Sequence, residues 1–571
     1  MDKAQVIDTL ERIALLLELR NANVFKIRAF ENAGRILEGH PSDLKTLIET
    51  NELETLKGIG KGHIAEIVRE LFAKGKSADY EELKKGFPDS LFELFKIRGL
   101  GAKRIKALYE KLGIKSAGEL EYACRENRLL KLEGFGPKSQ EKILAAIENM
   151  KKTDGRHLVH FAAEESARLV AYLKKQKGIK RIEIAGSLRR RKEIIGDIDI
   201  LVSAEKPVKV HDAFVKYPSV REIVARGETK SSVTIKRGLH CDLRTVTDKE
   251  FPYALYYFTG SKEHNVAVRT IAKKKNIKVN EYGLFKGNRL IPCRDEDEIF
   301  KAVGLRPIPP ELRENMGEIE WAAQKDLPKL IEEKDIRGIF HVHTDMSDGV
   351  GTLEQMVGAA EKLGYEYVGI SDHSQSAHYA RGLDAARLRQ QWKEIDALQK
   401  KVKIRIFKGV ESDILGDGKL DYPESVLAQF DFVIGSVHSK FNLSEKEMTA
   451  RVRRAMESKY LTFVGHPTGR LLLGRAGYSL DMPKIFDAAK KSGAVMELNA
   501  NPHRLDLDWR VLREVKKRGV LISINPDAHS QDGLRDVTWG VGIARKGWLE
   551  KKDVVNTMTL AEITKFLKKR K

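Results

Sequence analysis

Hydrophobic and polar positions follow three rhythms along this 571-residue chain. Near its start, AQVIDTLERIALLLEL sets Val6, Leu10, Ile13, Leu16 and Leu17 at helical spacing, so residues 1–50 read as amphipathic helices. A helical period returns from Leu158 to Lys175; RIEIAG then reads as a strand, and DIDILV alternates with a period of two. Strand residues two apart point the same way, so Ile198, Ile200 and Val202 face a core while Asp197 and Asp199 share the other face. VTIKRGLHCDLRTV reads as one further strand, carrying Asp242 beside Leu243. Past Pro307, Pro309 and Pro310, ELRENMGEIEWAAQKDLPKLIEE reads as a polar helical connector. From about residue 335 apolar strands alternate with helical segments, the pattern of a parallel β/α barrel.

Glycine-rich turns interrupt the first 150 residues in a repeated way. LKGIGKGHIAEIV carries Gly58, Gly60 and Lys61; IRGLGAKRIKALY carries Gly99, Gly101 and Lys103; LEGFGPKSQEKIL carries Gly134, Gly136 and Lys138. Each predicts a short helix, a tight turn and a second helix whose free N–H groups meet a phosphate. One such turn is an ordinary helical hairpin. Three of them, each trailed by a cation, predict a grip on the DNA backbone that reads no sequence.

Two stretches carry candidate chemistry. In AGSLRRRKEIIGDIDILV a Gly-Ser turn and arginines precede two carboxylates on one strand face, which repel unless a cation lies between them. Hard oxygen ligands at this spacing suit Mg²⁺ together with substrate phosphates, and the upstream turn would hold those phosphates. Asp242 would complete a site for two metals about 3.5–4 Å apart, suited to in-line displacement at phosphorus. This is the pattern of a nucleotidyl-transfer site. In the back half nearly every strand ends in a metal-ligand type: His341, His343 and Asp348; His373; Glu411; His438; His466; Asp527 and His529. Such histidine-rich mixed ligation suits Zn²⁺, Mn²⁺ or Fe²⁺. His378, Arg381, Arg470, His503 and Arg504 are further candidates to meet phosphate.

Composition narrows the partners. The formal net charge of +21 favours a polyanion, nucleic acid before membrane. No apolar run approaches a membrane span, and the amphipathic, acid-containing N-terminus argues against a signal peptide. Cys124, Cys241 and Cys293 form no paired pattern, so a reducing cytoplasm is expected.

GSLRRRKEIIGDID, the CDLR strand and YFTGSKEHNVAVR followed by VNEYG resemble the family X DNA polymerases over residues 1 to about 315. The resemblance implies that Ser187, Arg190 and the Gly196 backbone hold the incoming triphosphate, beside Gly260 and Lys262. It implies that Tyr257 and Phe258 crowd the sugar 2′ position, and that Asn265 and Arg269 touch the minor-groove edge of the nascent pair, with Tyr282 on the same thumb. Three departures stand out. The Schiff-base lysine that follows an IAE triplet in eukaryotic relatives is Ile67 here, so lyase activity in residues 1–80 does not carry over. Lys262 stands where a base-stacking aspartate is known, and its added positive charge would strengthen nucleotide binding; His240 replaces an arginine two positions before the third aspartate. The back half resembles the polymerase-and-histidinol-phosphatase (PHP) domain, a distorted seven-unit barrel with a trinuclear centre, and all nine of its ligand positions are intact. The family pattern suggests one ion on His341, His343, Glu411 and Asp527, a second on Glu411, Asp348 and His373, and a third near His438, His466 and His529.

The resulting expectation is a multidomain α+β and α/β chain: a helical N-terminal domain at 1–85 with the first helix-hairpin-helix, a fingers-like helix-hairpin-helix domain at 86–150, and a nucleotidyltransferase palm at 151–248. A thumb at 249–316, a linker at 317–334 and a distorted (β/α)7 PHP barrel at 335–571 follow. The expected function is gap-filling synthesis in DNA repair, using Mg²⁺ at Asp197, Asp199 and Asp242, with a Zn²⁺- or Mn²⁺-dependent 3′–5′ exonuclease, abasic-site endonuclease or 3′-phosphatase attached. Partners are gapped or nicked DNA and deoxynucleoside triphosphates, with no membrane, and the chain acts as a monomer. A rival reading makes the PHP nuclease the main activity and the polymerase half a DNA-holding scaffold; the intact aspartates oppose it. A small-molecule phosphatase leaves the three hairpins without purpose, and a non-catalytic DNA-binding module leaves two ligand sets unexplained.

Overall fold

The computed structural model describes the chain except residues 2, 41, 42, 57, 98, 99, 152–154, 236, 237, 570 and 571. It divides into two compact units, Met1–Met150 and Lys151–Lys571.

The first unit is helical among its described residues. The amphipathic start forms the helix Lys3–Leu19, which buries Val6, Leu10, Ile13, Leu16 and Leu17 as their spacing requires. Each glycine turn lies between a short 3₁₀ segment and a longer helix: Glu52–Thr55 and His63–Lys74, Asp89–Lys96 and Ala102–Leu112, Arg128–Lys131 and Pro137–Lys151. The first leg of each hairpin is therefore tighter than the α-helix its sequence suggests. The same backbone bond closes every turn: Ile59 N to Leu56 O (3.0 Å), Leu100 N to Ile97 O (3.1 Å) and Phe135 N to Leu132 O (3.0 Å). The apolar residue that donates it is buried in all three, which pins each loop to the core, and Gly58, Gly101 and Gly134 beside it are exposed.

In the second unit the strands are β1 (His157–Leu158), β2 (Ile179–Ile184), β3 (Ile194–Ile195), β4 (Asp197–Ala204), β5 (Glu222–Arg226), β6 (Lys230–Thr234) and β7 (His240–Val246). Then come β8 (Ile277–Asn280), β9 (Gly283–Lys286), β10 (Arg289–Ile291), β11 (Gly338–Val342), β12 (Tyr367–Ile370), β13 (Arg405–Asp413), β14 (Phe432–Ser436), β15 (Phe463–Val464), β16 (Val495–Asn499) and β17 (Ile522–Asn525). A five-stranded sheet in the order β2-β4-β7-β6-β5 has β4 and β7 parallel and the other pairs antiparallel. The stretch read as one strand around Asp242 is in fact the β6–β7 hairpin, because Gly238 takes a left-handed conformation (φ +73°) and reverses the chain. Its alternation survives the turn, which is why one strand and two were indistinguishable in the sequence.

β8 to β10 make a small antiparallel sheet beside the helices Phe251–Thr259 and Lys262–Lys274. The stretch read as connector is packed rather than loose. Ile319 and Ala322 are buried with the apolar residues of 253–312, and Trp321 meets Trp548 edge-on at 5.5 Å.

β11 to β17 run parallel in sequence order. Their ends meet: His343 N donates to Ala528 O (2.9 Å) and Ala528 N to His341 O (3.1 Å). Phe340, Tyr367, Phe407, Phe432 and Phe463 pack together, and Ile563 and Leu567 of the last helix, Leu560–Lys569, cover them. Room for these rings comes from glycine: a Cβ on Gly409 would lie 2.1 Å from the Phe432 ring, and one on Gly369 2.4 Å from Phe340. A continuous apolar cluster joins the five-stranded sheet and its helices to the outer layer of the barrel.

Candidate functional site

In the five-stranded sheet β4 presents Asp197 and Asp199 on one face, and the parallel register sets Asp242 of β7 directly beside Asp199. Burial, then the neighbouring carboxylates of Asp197 and Asp242, push Asp199 up to about 6. Both oxygens of Asp242 are engaged: Ser232 Oγ donates to one (2.6 Å), and Lys230 Nζ lies 2.6 Å from the other. Lys230 comes from the strand paired with β7, so a cation stands against Asp242 although His240 replaces the arginine expected on β7 itself. Crowded oxygens that attract a lysine suit a hard divalent ion.

The Gly-Ser turn lies against these carboxylates. Gly186 has φ +62°, and a Cβ there would come 2.1 Å from Asp199 Oδ2, so only glycine allows the approach. Ser187 follows on the short helix Gly186–Arg189. Arg189 forks onto Glu296, with Nη1 2.9 Å from Oε1, and Arg190 donates from Nε to Glu314 (3.1 Å) and from Nη1 to Thr259 O. Burial alone would raise Glu296, but Arg313 and Arg189 overcome it and hold that carboxyl at about 2. Gly260 backs onto Arg190: its missing Cβ would lie 3.1 Å from Nη1. The guanidinium of Arg244 lies over the Phe258 ring (4.5 Å), and Tyr257 meets Phe258 edge-on. Lys262 and Arg269 are exposed, whereas Asn265 is only 6% exposed and its amide donates to Tyr257 O (2.7 Å). The structure thus gathers Ser187, Arg190, Gly260 and the three aspartates, and holds the Asn265 side chain inward.

In the barrel all nine expected ligands come together beyond one end of the strands, in four overlapping groups whose ligand atoms lie within 4.8 Å of one another. These are His343, Asp348, His373 and His529; His341, His343 and Asp527; His341, Glu411 and His466; and His373, Glu411 and His438. His529 therefore stands with Asp348 (3.3 Å) and stacks on His343 (4.2 Å), rather than with His438 and His466, while His466 faces Glu411 (2.9 Å). The register shift in β11 and the left-handed backbone at His341 (φ +59°) turn that side chain into the cluster; Asp527 (φ +52°) is bent in the same sense.

Buried polar atoms ordinarily have partners, yet here His341 Nε2, His343 Nε2, His373 Nε2, Asp348 Oδ2 and Glu411 Oε2 have no hydrogen bond. Convergent orphan nitrogens and carboxylate oxygens fit transition-metal ions. Charge is divided unevenly among them. Burial pushes His343 down to about 4, while Asp348 and Glu411 outweigh the burial of His373 and pull it up to about 10.

Behind the ligands lies a layer that the sequence reading missed. Glu497, fully buried on β16, accepts from His341 Nδ1 (2.7 Å), Asn525 Nδ2 (3.0 Å) and His466 N (2.6 Å). Asp413 holds His438 Nδ1 at 2.6 Å, and Asp372 accepts from Thr344 N, Thr344 Oγ1 and Gln391 Nε2. The available signal was a carboxylate inside an apolar strand, VMELN, and another two residues after Glu411. Of the phosphate candidates, Arg504 Nε lies 3.3 Å from Asp527, Arg381 binds the carbonyls of Asp345 and Ser347 in the Asp348 loop, and Arg470 pairs with Asp508 (2.6 Å). His378 is exposed; His503 is buried with its ring 5.7 Å from His160.

In the first unit Gly58 has φ +111° and so little space that a Cβ would lie 2.6 Å from Ile36. Gly60 and Gly134 also have positive φ, and Gly101 and Gly136 immediately precede their helices. Lys61 and Lys138 are exposed; Gly99 and the Lys103 side chain lie outside the described residues. No helix among the described residues is long and apolar enough to cross a membrane.

Comparison with known proteins finds a helix-hairpin-helix domain at residues 1–77, a SAM-like helix-hairpin-helix tandem at 91–149, a DNA polymerase beta thumb at 254–314 and a PHP domain at 340–501. Over 574 aligned residues, covering all of both proteins, the chain is 40% identical to the DNA polymerase/3'-5' exonuclease PolX of Bacillus subtilis (strain 168). It is 35% identical over 138 residues to the Repair DNA polymerase X of African swine fever virus (strain Badajoz 1971 Vero-adapted), which spans 22% of this chain and 77% of the viral protein. A probable phosphatase of Thermoanaerobacter sp. (strain X514) is 26% identical over 243 residues, 40% of this chain and 94% of its own.

Proposed function

The chain belongs to the family X DNA polymerases that carry a PHP domain, and on that premise we propose that it fills short gaps in DNA and shortens 3′ ends with its barrel half. The observation that carries this reading is the pair of separate ligand sets, one of carboxylates beside an arginine-bearing Gly-Ser turn and one buried at the barrel's strand ends.

For synthesis, Asp197 and Asp199 would hold both Mg²⁺ ions and Asp242 one of them. When bound, such ions lower the pKa of the attacking 3′-hydroxyl and offset charge on the pyrophosphate leaving group. The protein's own part is positional. Gly186 lets Ser187 and the triphosphate approach Asp199 closely, Arg190 and the Gly196 backbone engage the phosphates, and Lys262 adds positive charge nearby. Tyr257 and Phe258 crowd the 2′ position and so favour deoxynucleotides. Lys230 holds a cation against the Asp242 carboxylate that would otherwise help to hold an ion.

For 3′-end removal, the nine barrel residues would hold Zn²⁺ or Mn²⁺, which activates water and polarises a phosphoryl oxygen when bound. Glu497 and Asp413 fix the protons of His341 and His438 on Nδ1, so that Nε2 of each faces the centre. Arg504 places a cation at its edge for a phosphodiester. The three hairpins would hold gapped or nicked DNA by its backbone, so affinity should vary little with sequence and fall steeply with salt.

A gapped duplex labelled at the 3′ end of its primer tests the reading. Extension with Mg²⁺ and deoxynucleotides, and shortening with Mn²⁺ alone, are both expected from one preparation. A protein that shortens but never extends would return the polymerase half to the role of scaffold.

A further inference from the structure

The barrel half sets a buried lysine against the backbone of Arg190. Lys546 ends the helix Val537–Lys546, and its side chain is 0% exposed. Its ammonium donates to the backbone carbonyl of Arg190 (3.0 Å), the carbonyl of Glu311 (3.2 Å) and Glu314 Oε1 (2.5 Å). Three acceptors satisfy all three N–H bonds, and the Trp509 ring lies 4.5 Å away. Trp509 in turn donates from Nε1 to Glu193 (3.2 Å) and faces Lys192 (5.4 Å). The segment after the Gly-Ser turn is therefore seated on the barrel half at Arg190, Lys192 and Glu193.

Glu314 is the shared partner. Arg190 Nε reaches the same Oε1 at 3.1 Å, and Lys192 lies 3.7 Å from the other oxygen. One buried carboxylate thus meets three cations. Were Lys546 neutral, Glu314 would lean on Arg190, the guanidinium nearest to it, and compete for that group with a phosphate. With Lys546 present, part of the carboxylate's charge is already met and the Arg190 backbone is anchored.

We propose that Lys546 is a positioning residue for DNA synthesis: from the barrel half it anchors the Arg190 backbone and occupies Glu314, which leaves the Arg190 guanidinium available to the triphosphate. This rests on the reading of Arg190 as a triphosphate contact. It makes nucleotide affinity in one half depend on a side chain of the other.

The test is steady-state gap filling by the full chain with Mg²⁺, separating deoxynucleotide KM from kcat, with 3′-end shortening measured in parallel. Lys546→Met should raise KM about tenfold, the scale of a lost charge-assisted hydrogen bond, with little change in kcat. Shortening should stay near wild type, which also reports that the variant is folded. Adding Glu314→Gln to Lys546→Met should bring KM back toward wild type, because the carboxylate that captures Arg190 is gone. Glu314→Gln alone should lower KM, because no carboxylate then competes for Arg190, and this is the readout if Lys546→Met does not fold; a raised KM would overturn the proposal. Arg190→Ala separates the two levels: if it leaves KM unchanged, the triphosphate role of Arg190 falls. If it raises KM while Lys546→Met does not, or if Glu314→Gln fails to rescue the double variant, the role of Lys546 is overturned.

Discussion

The two ligand clusters solve one electrostatic problem in opposite ways. In the palm sheet Asp197 is exposed and Asp199 and Asp242 half-buried; the Asp242 carboxylate meets a serine and a lysine. In the barrel eight of the ligands are buried and His438 is slightly more open, and Glu497, Asp413 and Asp372 pack behind them in closed hydrogen-bond networks. A thin, open site suits an ion that arrives with the nucleotide and shares its phosphates, since Mg²⁺ keeps few protein ligands. A thick, closed site suits ions that stay, because outer partners hold each imidazole in place before any substrate comes. The difference teaches that ligand count alone does not distinguish the roles; the layer behind the ligands does.

The strongest way to break the comparison is to empty one site and watch the other. Asp197→Ala leaves the palm with two carboxylates on adjacent strands, and extension of a gapped primer should fall to background while shortening persists. Extension near the wild-type rate would remove Asp197 from the site. Next in size is His343→Ala. His343 belongs to two of the four ligand groups, so its loss should displace the reacting centre and reduce Mn²⁺-stimulated shortening by about 10²-fold or more. Extension should hardly change. Unaltered nuclease activity and metal content in this variant would mean that the barrel is not the nuclease.

Smaller, and aimed at the layer behind the ligands, is Glu497→Gln. The amide keeps its volume but cannot accept from His341 Nδ1, Asn525 and His466 N as a carboxylate does. Metal affinity or shortening should drop about 10- to 100-fold, the usual cost of losing an outer-shell partner. A Glu497→Gln protein that binds and cuts like wild type would make the palm and barrel more alike than their geometry says.

How much of this was legible in the sequence depends on the range of each signal. Asp197 and Asp199 were legible because a strand's period of two is local, and the nine barrel ligands because each strand announces its own end. The β6–β7 hairpin was hidden, since Val233, Ile235, Leu239 and Cys241 keep one parity across the turn and only Lys236-Arg237-Gly238 marks it. The regrouping of His529 with Asp348 was beyond reach: it follows from the closure of β17 onto β11, a contact between residues nearly two hundred positions apart. Glu497 was hidden for a different reason. A lone carboxylate within an apolar strand gives no pattern until its hydrogen bonds to His341, Asn525 and His466 are seen. Lys546 carries no signal in the sequence, and only the fold shows it buried against Arg190.

The least of the expected effects tests the comparison through stability. If the barrel ions are resident, they bind the folded protein and not the unfolded chain, so removing them must lower the midpoint of thermal unfolding. A ligand held at a hundred times its Kd contributes about 2.7 kcal/mol. A kilocalorie moves the midpoint by about 2–4 °C for domains of roughly 150–250 residues and by less for larger ones, so chelation should lower it by about 3–5 °C. The fall should concern the unit Lys151–Lys571, and Mn²⁺ or Zn²⁺ should restore it where Mg²⁺ does not. Asp197→Ala should show the same fall, because the palm ions contribute little without nucleotide, whereas His343→Ala should start from a lower midpoint and respond less to chelator. A wild-type midpoint that ignores chelation would say that the His–carboxylate pairs alone, such as His373 with Glu411 at 3.0 Å, hold the cluster together. The barrel ions would then come and go like those of the palm.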